Sequence, residues 1–353
     1  MSAAPDPVEI HPVLGLPEVT DTTDLAAVLA HAVVRSVPGG LQDGDVLAVS
    51  SKLVSKAEGL RRPWAGERGA KDALVRSQSV RVVAERATPA GVTRIVEAVA
   101  GPVMAAAGVD ASNTGDQGGL LVLPEDPDAA AERLRRQLRA EVGARVGVLL
   151  TDTAGRPWRG GQADLALGCA GLSPADDLRG GVDHDGRSLV VTSRAVADEV
   201  ASAADLVKGK ASGVGAAVVR GLAHLVGPDR GPGARSLVRT GPGDWFALGH
   251  VEAVRAALGA PPGSPSSERV GVRPLVAEEL GARCDRAVRL ALLTLPQVAV
   301  AAAEEDRIRL DATDATSLGR ALARLEVACA AEDLVVAQED VCGTAAEVLL
   351  SDR

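Results

Sequence analysis

Apolar and polar positions along the chain sort into alternating strands and helices. VEIHPVL (8–14) alternates and predicts a strand. AAVLAHAVVRSV (26–37) has helical spacing, with Thr23 or Asp24 as its cap. After the turn-rich PGGLQDGD, the β-branched run VLAVSSKLV (46–54) predicts a strand. Residues 60–100 are mixed, with helical stretches expected around 70–77 and 92–100, and GVDASNTGDQGG (108–119) reads as a polar, glycine-rich loop. DPDAAAERLRRQLRAEVG (126–143) is an amphipathic helix opened by acidic residues. RVGVLLTD (145–152) predicts a buried strand that runs into a loop, TDTAGRPWRGGQ. LALGCAG (165–171) is a further apolar segment, SLVVTS (188–193) a strand, 195–207 a helix and AAVVRGLAHL (216–225) strand-like.

The Gly/Pro-rich 227–249 reads as an irregular arm, and APPGSPSSE (260–268) as a linker. Residues 269–353 are rich in Ala and Leu with helical periodicity, strongest at 276–294 and 315–332. From residue 251 onward acidic residues number 17 against 11 basic, so the charge balance changes there as well. The organisation expected is a main domain over 1–249, a linker over 250–268 and a small, mainly helical region over 269–353.

Composition narrows the functions. At 46% hydrophobic, the 353 residues can bury a sizeable core. The net charge of −9 argues against nucleic acid as the main partner. No apolar run is long enough to span a membrane, and MSAAPDPVEIHP lacks the basic and apolar regions of a leader, so a cytoplasmic protein is expected. Cys169, Cys284, Cys329 and Cys342 show no zinc spacing and read as buried, reduced thiols. Lysine is scarce beside arginine: only Lys52, Lys56, Lys71, Lys208 and Lys210 occur, and four of them fall in two short segments.

The chemistry-bearing candidates are carboxylates, lysines and arginines. There is no GxxxxGK[ST] phosphate loop, GxSxG elbow or HExxH pair. Asp152, with Thr153 beside it at the end of an apolar strand, offers hard oxygens to Mg²⁺ or Mn²⁺, though an Asx turn would also account for it. Asp110 in GVDASN could ligate likewise or simply organise a turn. Lys52 and Lys56, beside Ser50, Ser51 and Ser55, could hold phosphate as point charges, or be solvated strand-end lysines. VKGKASG (207–213) could wrap phosphates with charge and backbone N–H groups, or be an ordinary helix stop. Arg156, Trp158, Arg159 and Gln162 could recognise a carboxylate or phosphate, or lie on a solvated loop. Asp198 and Glu199 read as solvent-facing. Together these groups suit phosphoryl transfer by positioning and charge stabilisation.

Seven blocks occur in a distinctive order: GLPEV (15–19), GDVLAVSSKLVSKAEG (44–59), AAAGVDASN (105–113), LLVLPEDPDAAAERLR (120–135), GVLLTDTAGRPWRGGQADLALGCAG (147–171), LRGGVDHDGRSLVVTSRAVADEVASAADLVKGKASG (178–213) and AVVRGL (217–222). In this order they resemble the coenzyme F420-0:L-glutamate (γ-glutamyl) ligase family over about residues 8–225, in the bacterial branch that adds a flavin-binding, nitroreductase-like domain. The resemblance implies an α/β (α+β) fold in two parts, built as an intertwined homodimer. It implies GTP- and metal-dependent addition of L-glutamate to the deazaflavin F420-0 through an acyl phosphate, with further γ-linked additions open.

By the same resemblance, Asp110 and Asp152 would bind one Mg²⁺ or Mn²⁺ and Thr153 a second, with K⁺ as an optional monovalent ion. Leu16, Pro17, Glu18, Val19, Ser51, Lys56 and Asn113 would contact the nucleotide, along with Lys208, Gly209, Lys210, Ala211, Ser212, Gly213 and Val214. Asp152, Lys56 and Arg159 would carry the chemistry. Some relatives have a metal-ligating Glu where this chain has Lys210, so that ligand is not carried over. The C-terminal region is too short for a full flavin-binding domain and lacks its Arg-rich entry, which argues against FMN. The alternative reading is a non-catalytic relative that binds nucleotide or F420; another is a ligase for a different carboxylate acceptor.

Overall fold

The computed structural model describes residues 7–353, so the first six residues of the 1–249 segment, and that part of the leader reading, lie outside the described residues. The chain forms two compact units. The first holds the described residues up to Ser79 together with Ala98–Arg239, and the second holds Val80–Glu97 and Thr240–Arg353.

The first unit is built on a five-stranded sheet in the order Glu9–Pro12, Ala216–Arg220, Val46–Ser50, Gly147–Arg156, Arg159–Ala170. All neighbours are antiparallel except Val46–Ser50 and Gly147–Arg156, which run parallel with Ser50 opposite Thr151. Alternate residues of the central strand go to opposite faces. Leu47 and Val49 join Val148, Leu150 and Val218 under helices Leu25–Ser36 and Pro127–Val142. Val46 and Ala48 join Leu149, Cys169 and Val219 under helix Val196–Lys208. Burial on both faces explains the unbroken apolar reading of VLAVS and VLL.

Asp24, one of the two caps considered, accepts a hydrogen bond from the Ala27 N–H at 3.1 Å. Asp126 caps Pro127–Val142 in the same way, and Gly143 ends it in the left-handed conformation. Asp128 does more than favour a helix N-terminus. Its buried carboxylate accepts from the backbone N–H groups of Cys169 (2.8 Å), Ala234 (2.7 Å) and Arg235 (3.1 Å), tying helix, sheet and the 233–235 turn together.

Several expectations are corrected. The strand expected over 46–54 stops at Ser50, and helix Ser51–Ala57 starts at once. The expected loop after Asp152 is a hairpin: strand Gly147–Arg156 continues through it and returns as Arg159–Ala170. The alternation in TDTA and QADLAL marks it, but four glycines between residues 155 and 168 obscure the pattern. The helical stretch expected at 92–100 is strand Gly91–Ala98, whose GVTRIVEA is β-branched. SLVVTS contributes only to the two-residue strand Ser193–Arg194, and Val190 and Val191 are exposed. Cys342 is exposed, unlike the other three cysteines. The long helices are as expected, and no described helix is long and apolar enough to cross a membrane.

The second unit also departs from its reading. The expected linker contains helices His250–Ala257 and Pro265–Val270. The region beyond it is not mainly helical: an antiparallel sheet runs Val298–Glu304, Arg307–Ala312, Ala345–Asp352, Leu334–Cys342. Helices Leu280–Leu292 and Ala315–Ala330 supply Leu290, Leu318 and Leu325 to the core beneath Ile308, Leu310, Val348 and Leu350. Strands rich in Ala and charge, such as VAVAAAE, lack the β-branched signal and so resemble helix. Buried charges fasten Val80–Glu97 into this unit. Glu85 accepts from Ser267 Oγ (2.5 Å) and the Gly263 N–H (3.1 Å), and pairs with Arg94.

Replacing Asp128 by Ala strands two buried backbone N–H groups and a half-buried third, a loss of about 2–4 kcal/mol. A thermal melt of Asp128→Ala should show a clearly lower transition than Leu206→Ala, a change on the exposed face of a helix.

Candidate active site

A cavity of about 470 Å³ opens in the first unit beyond the ends of the two parallel strands, where open sheets commonly bind ligands. Four of the chain's five lysines, Lys52, Lys56, Lys208 and Lys210, line it. The turn from Val46–Ser50 into helix Ser51–Ala57 brings Lys52 and Lys56 onto one face, four residues apart. Helix Val196–Lys208 delivers Lys208 and ends at Gly209, whose φ of 60° suits glycine.

Each of the three lysines nearest the sheet is paired. Lys52 Nζ donates to Asp110 Oδ2 at 2.5 Å and to Ser112 Oγ at 2.6 Å. Lys56, 7% exposed, donates to Glu18 Oε1 at 2.6 Å. Lys208, 4% exposed, donates to Asp164 Oδ2 and Thr151 Oγ1, both at 2.6 Å. Asp110 also forms the turn considered for it, accepting from the Ser112 N–H at 2.8 Å. Burial raises its carboxyl, but hydrogen bonds from Lys52 and Ser112 outweigh that and hold it at about 2.

Asp152 is different. Its carboxylate accepts a hydrogen bond from the neutral Ser51 hydroxyl at 3.3 Å. Burial pushes its carboxyl up to about 6, against the Thr153 N–H and the charge of Lys52, while Asp164 and Asp110 push the same way as burial. A desolvated carboxyl held against two like charges gains from a cation. Among the described residues no group of three or more His, Cys, Asp or Glu side chains is arranged to hold a metal. The hard oxygens of Asp152, Asp110 and Thr153 nevertheless fit Mg²⁺ or Mn²⁺, provided Lys52 releases Asp110. Thr153 Oγ1 donates to Asp164 Oδ1 at 2.7 Å, leaving its lone pairs available.

Leu16, Pro17, Glu18, Val19, Lys56, Asn113, Asp152 and Thr153 all line the cavity, as do Lys208, Gly209, Lys210, Ala211, Gly213 and Val214. Ser51 and Asp110 act from behind, through Asp152 and Lys52. Ser212 instead turns its hydroxyl to the Lys208 carbonyl. Arg159 is exposed on the hairpin, as are Arg156, Trp158 and Gln162, and none of the four lines the cavity. Asp198 does not face solvent: it accepts from the Ala166 N–H at 2.9 Å, and burial raises its carboxyl.

Sequence reasoning missed Asp164 and Asp205, which also line the cavity. The two-residue period of strand Arg159–Ala170 could have shown Asp164, which lies opposite Thr153. Bare backbone matters at Gly215, where a Cβ would meet Leu53 Cδ1 at 2.6 Å, and at Gly115, where it would strike the Glu18 carboxylate.

The fold and cavity define a mixed α/β protein with an oxygen- and lysine-rich site. The family described as F420-0:Gamma-glutamyl ligase matches residues 14–221, and the chain belongs to that family. Among its relatives is a Methanopyrus kandleri protein, Coenzyme F420:L-glutamate ligase, 40% identical over 253 residues, 68% of this chain and 97% of that one. Proteins of the same name from Archaeoglobus fulgidus (40% over 226 residues, 61% and 88% covered) and Halobacterium salinarum (42% over 212 residues, 56% and 79%) are similar.

Lys208→Met would leave Asp164 buried without its cation, a loss of about 3–5 kcal/mol. Thermal unfolding should drop sharply in that variant and recover much of the difference in Lys208→Met/Asp164→Leu, which removes both charges.

Proposed function

We propose that this chain ligates L-glutamate to coenzyme F420-0 with GTP, in coenzyme F420 biosynthesis. The observation that carries the reading is the gathering of four of five lysines around Asp152, a buried carboxyl hydrogen-bonded by the neutral Ser51 hydroxyl. Family membership and the names of the relatives support the substrates.

In this reading the triphosphate lies against Lys56, Lys210 and the glycine-containing backbone of 209–215. Leu16, Pro17, Val19 and Asn113 border the rest of the nucleotide. A divalent cation held by Asp152, Asp110 and Thr153 would neutralise phosphate oxygens. Were Asp110 to hold such a cation, Lys52, now paired with it, would offer its charge to a phosphate. An oxygen of the acceptor carboxylate attacks the γ-phosphorus, the bond to the β-phosphate oxygen breaks, and GDP leaves. The glutamate amine then attacks the acyl carbon, phosphate departs with the bridging oxygen, and the nitrogen loses a proton. Lysines fixed in advance favour both steps by stabilising charge without reorganising.

We assign the protein to the cytoplasm and infer a homodimer. Arg159, beside the 83%-exposed Trp158 on the hairpin, would then reach an active site only in a second copy.

Mass-spectrometric assay of the full chain with F420-0, L-glutamate, GTP and Mn²⁺ or Mg²⁺ should show mass gains of one or more glutamates. Absence of any gain, with GTP still bound, would replace this reading with a non-catalytic one. Asp152→Asn should lower turnover by about 10²–10³-fold. Its melting temperature should not fall, because the carboxyl is unfavourably desolvated in the folded chain.

A further inference from the structure

A second cavity, of about 720 Å³, lies beside the first, and Lys56 lines both. The same two stretches of chain serve both cavities. Leu16–Val19 faces the first and Thr20–Asp21 the second, while Asn113 and Gly115 face the first and Gln117 and Gly119 the second. None of the seven blocks that carry the resemblance includes Arg61, Trp64 or Gln117, and the nucleotide-contact residues other than Lys56 lie elsewhere.

The walls of this cavity combine a cation and an aromatic plane. Arg61 is half-buried, and its guanidinium donates to the Gly118 carbonyl. Among the described residues it has no carboxylate partner, in a chain where most buried arginines do. Trp64 is fixed by its indole N–H, which donates to the Glu67 carbonyl at 2.8 Å, and by packing on the cluster of Val75, Val109, Leu120 and Val122. Trp64 is one of only four aromatic residues in the chain, so an aromatic plane on a cavity wall is not a by-product of composition. Glu67 is turned into its own loop, accepting from the Ala65 N–H at 3.1 Å.

Resting on the ligase reading above, we infer that this second cavity binds the aromatic, anionic acceptor F420-0. Trp64 offers its ring to the deazaflavin once Lys71, whose Nζ lies over it 6.0 Å from the centroid, turns aside; Arg61 pairs with an anionic oxygen of the acceptor, and Gln117 supplies a hydrogen bond. The carboxylate to be phosphorylated then lies at the Lys56 wall, facing the terminal phosphate in the first cavity. The volume favours this occupant over glutamate. It falls in the range of sites for drug-sized ligands, well beyond what a single amino acid fills. Arg61 and Trp64 are specificity residues in this scheme, since they touch the acceptor away from the reacting atoms.

The test is binding and kinetics on the full chain. F420-0 affinity is read by the deazaflavin's own fluorescence, GTP affinity by calorimetry, and KM is measured for each of the three substrates. Arg61→Ala should weaken F420-0 binding by about tenfold or more, with GTP affinity and the glutamate KM unchanged within twofold. Arg61→Lys should recover part of the loss. Gln117→Ala, a change at an exposed position, should shift the same constant more weakly. If both alanine variants bind F420-0 as the unaltered chain does, or if the glutamate KM moves instead, the assignment of the cavity is overturned while the ligase reading stands. If the unaltered chain neither binds nor ligates F420-0, both fall together.

Discussion

Ser50 sits opposite Thr151 because two short apolar strands, far apart in the sequence, pair in parallel at the centre of the first sheet. The site depends on that pairing. It sets Ser51 beside Asp152, and it fixes where helix Ser51–Ala57 must begin. Burial on both faces leaves no freedom of register, since a slip by one residue would exchange Leu47 and Val49 for Val46 and Ala48 under different helices. Asp152 is therefore held by the core in a place that is poor for a carboxylate. The cost is supported by the apolar burial around it, as strained functional positions usually are.

The three lysine–carboxylate pairs then divide by exposure. Lys208 and Asp164 are both about 4% exposed in side chain, and separating them would leave two unpaired buried charges. That pair is a fixed part of the wall. Glu18 and Asp110 are 55% and 39% exposed, so water can take over when their lysines turn to a phosphate. The cavity thus keeps its cations oriented without locking them in place. Gly115 belongs to the same device, because any side chain there would displace the Glu18 carboxylate from Lys56.

How far the sequence discloses this follows from what each residue is asked to do. Strands buried on both faces announce themselves as apolar runs, and lysine scarcity alone pointed to both halves of the cation set. The seven-residue helix Ser51–Ala57 was hidden because SSKLVSKA carries too few turns to show a period. Asp164 was hidden by the glycines ahead of it, which made a strand look like a loop. The ion pairs join residues as distant as Lys52 and Asp110, a relation that local pattern does not encode. Arg159 follows Asp152 closely in sequence, yet the antiparallel hairpin carries it away from the cavity of its own chain.

The division into units shows a related limit. The family match covers residues 14–221, yet Val80–Glu97 lies inside that stretch and packs in the second unit. What holds it there is a cluster of buried charge rather than apolar contact alone. Glu85, Glu252, Arg255, Arg286 and Glu332 are all at most 4% exposed, and Arg286 spans Glu332 and Glu278. Among the described residues, Glu252 Oε2 and Arg255 Nη1 have no hydrogen-bond partner. Desolvating that many ions is expensive, so the cluster is a weak source of stability. Its value lies in selectivity: an apolar face would accept many strands at Val80–Glu97, whereas Glu85 needs Ser267 and Arg94 together. Residues 250–332 are thus committed, charge by charge, to a pair of strands that lies within the family-matched stretch.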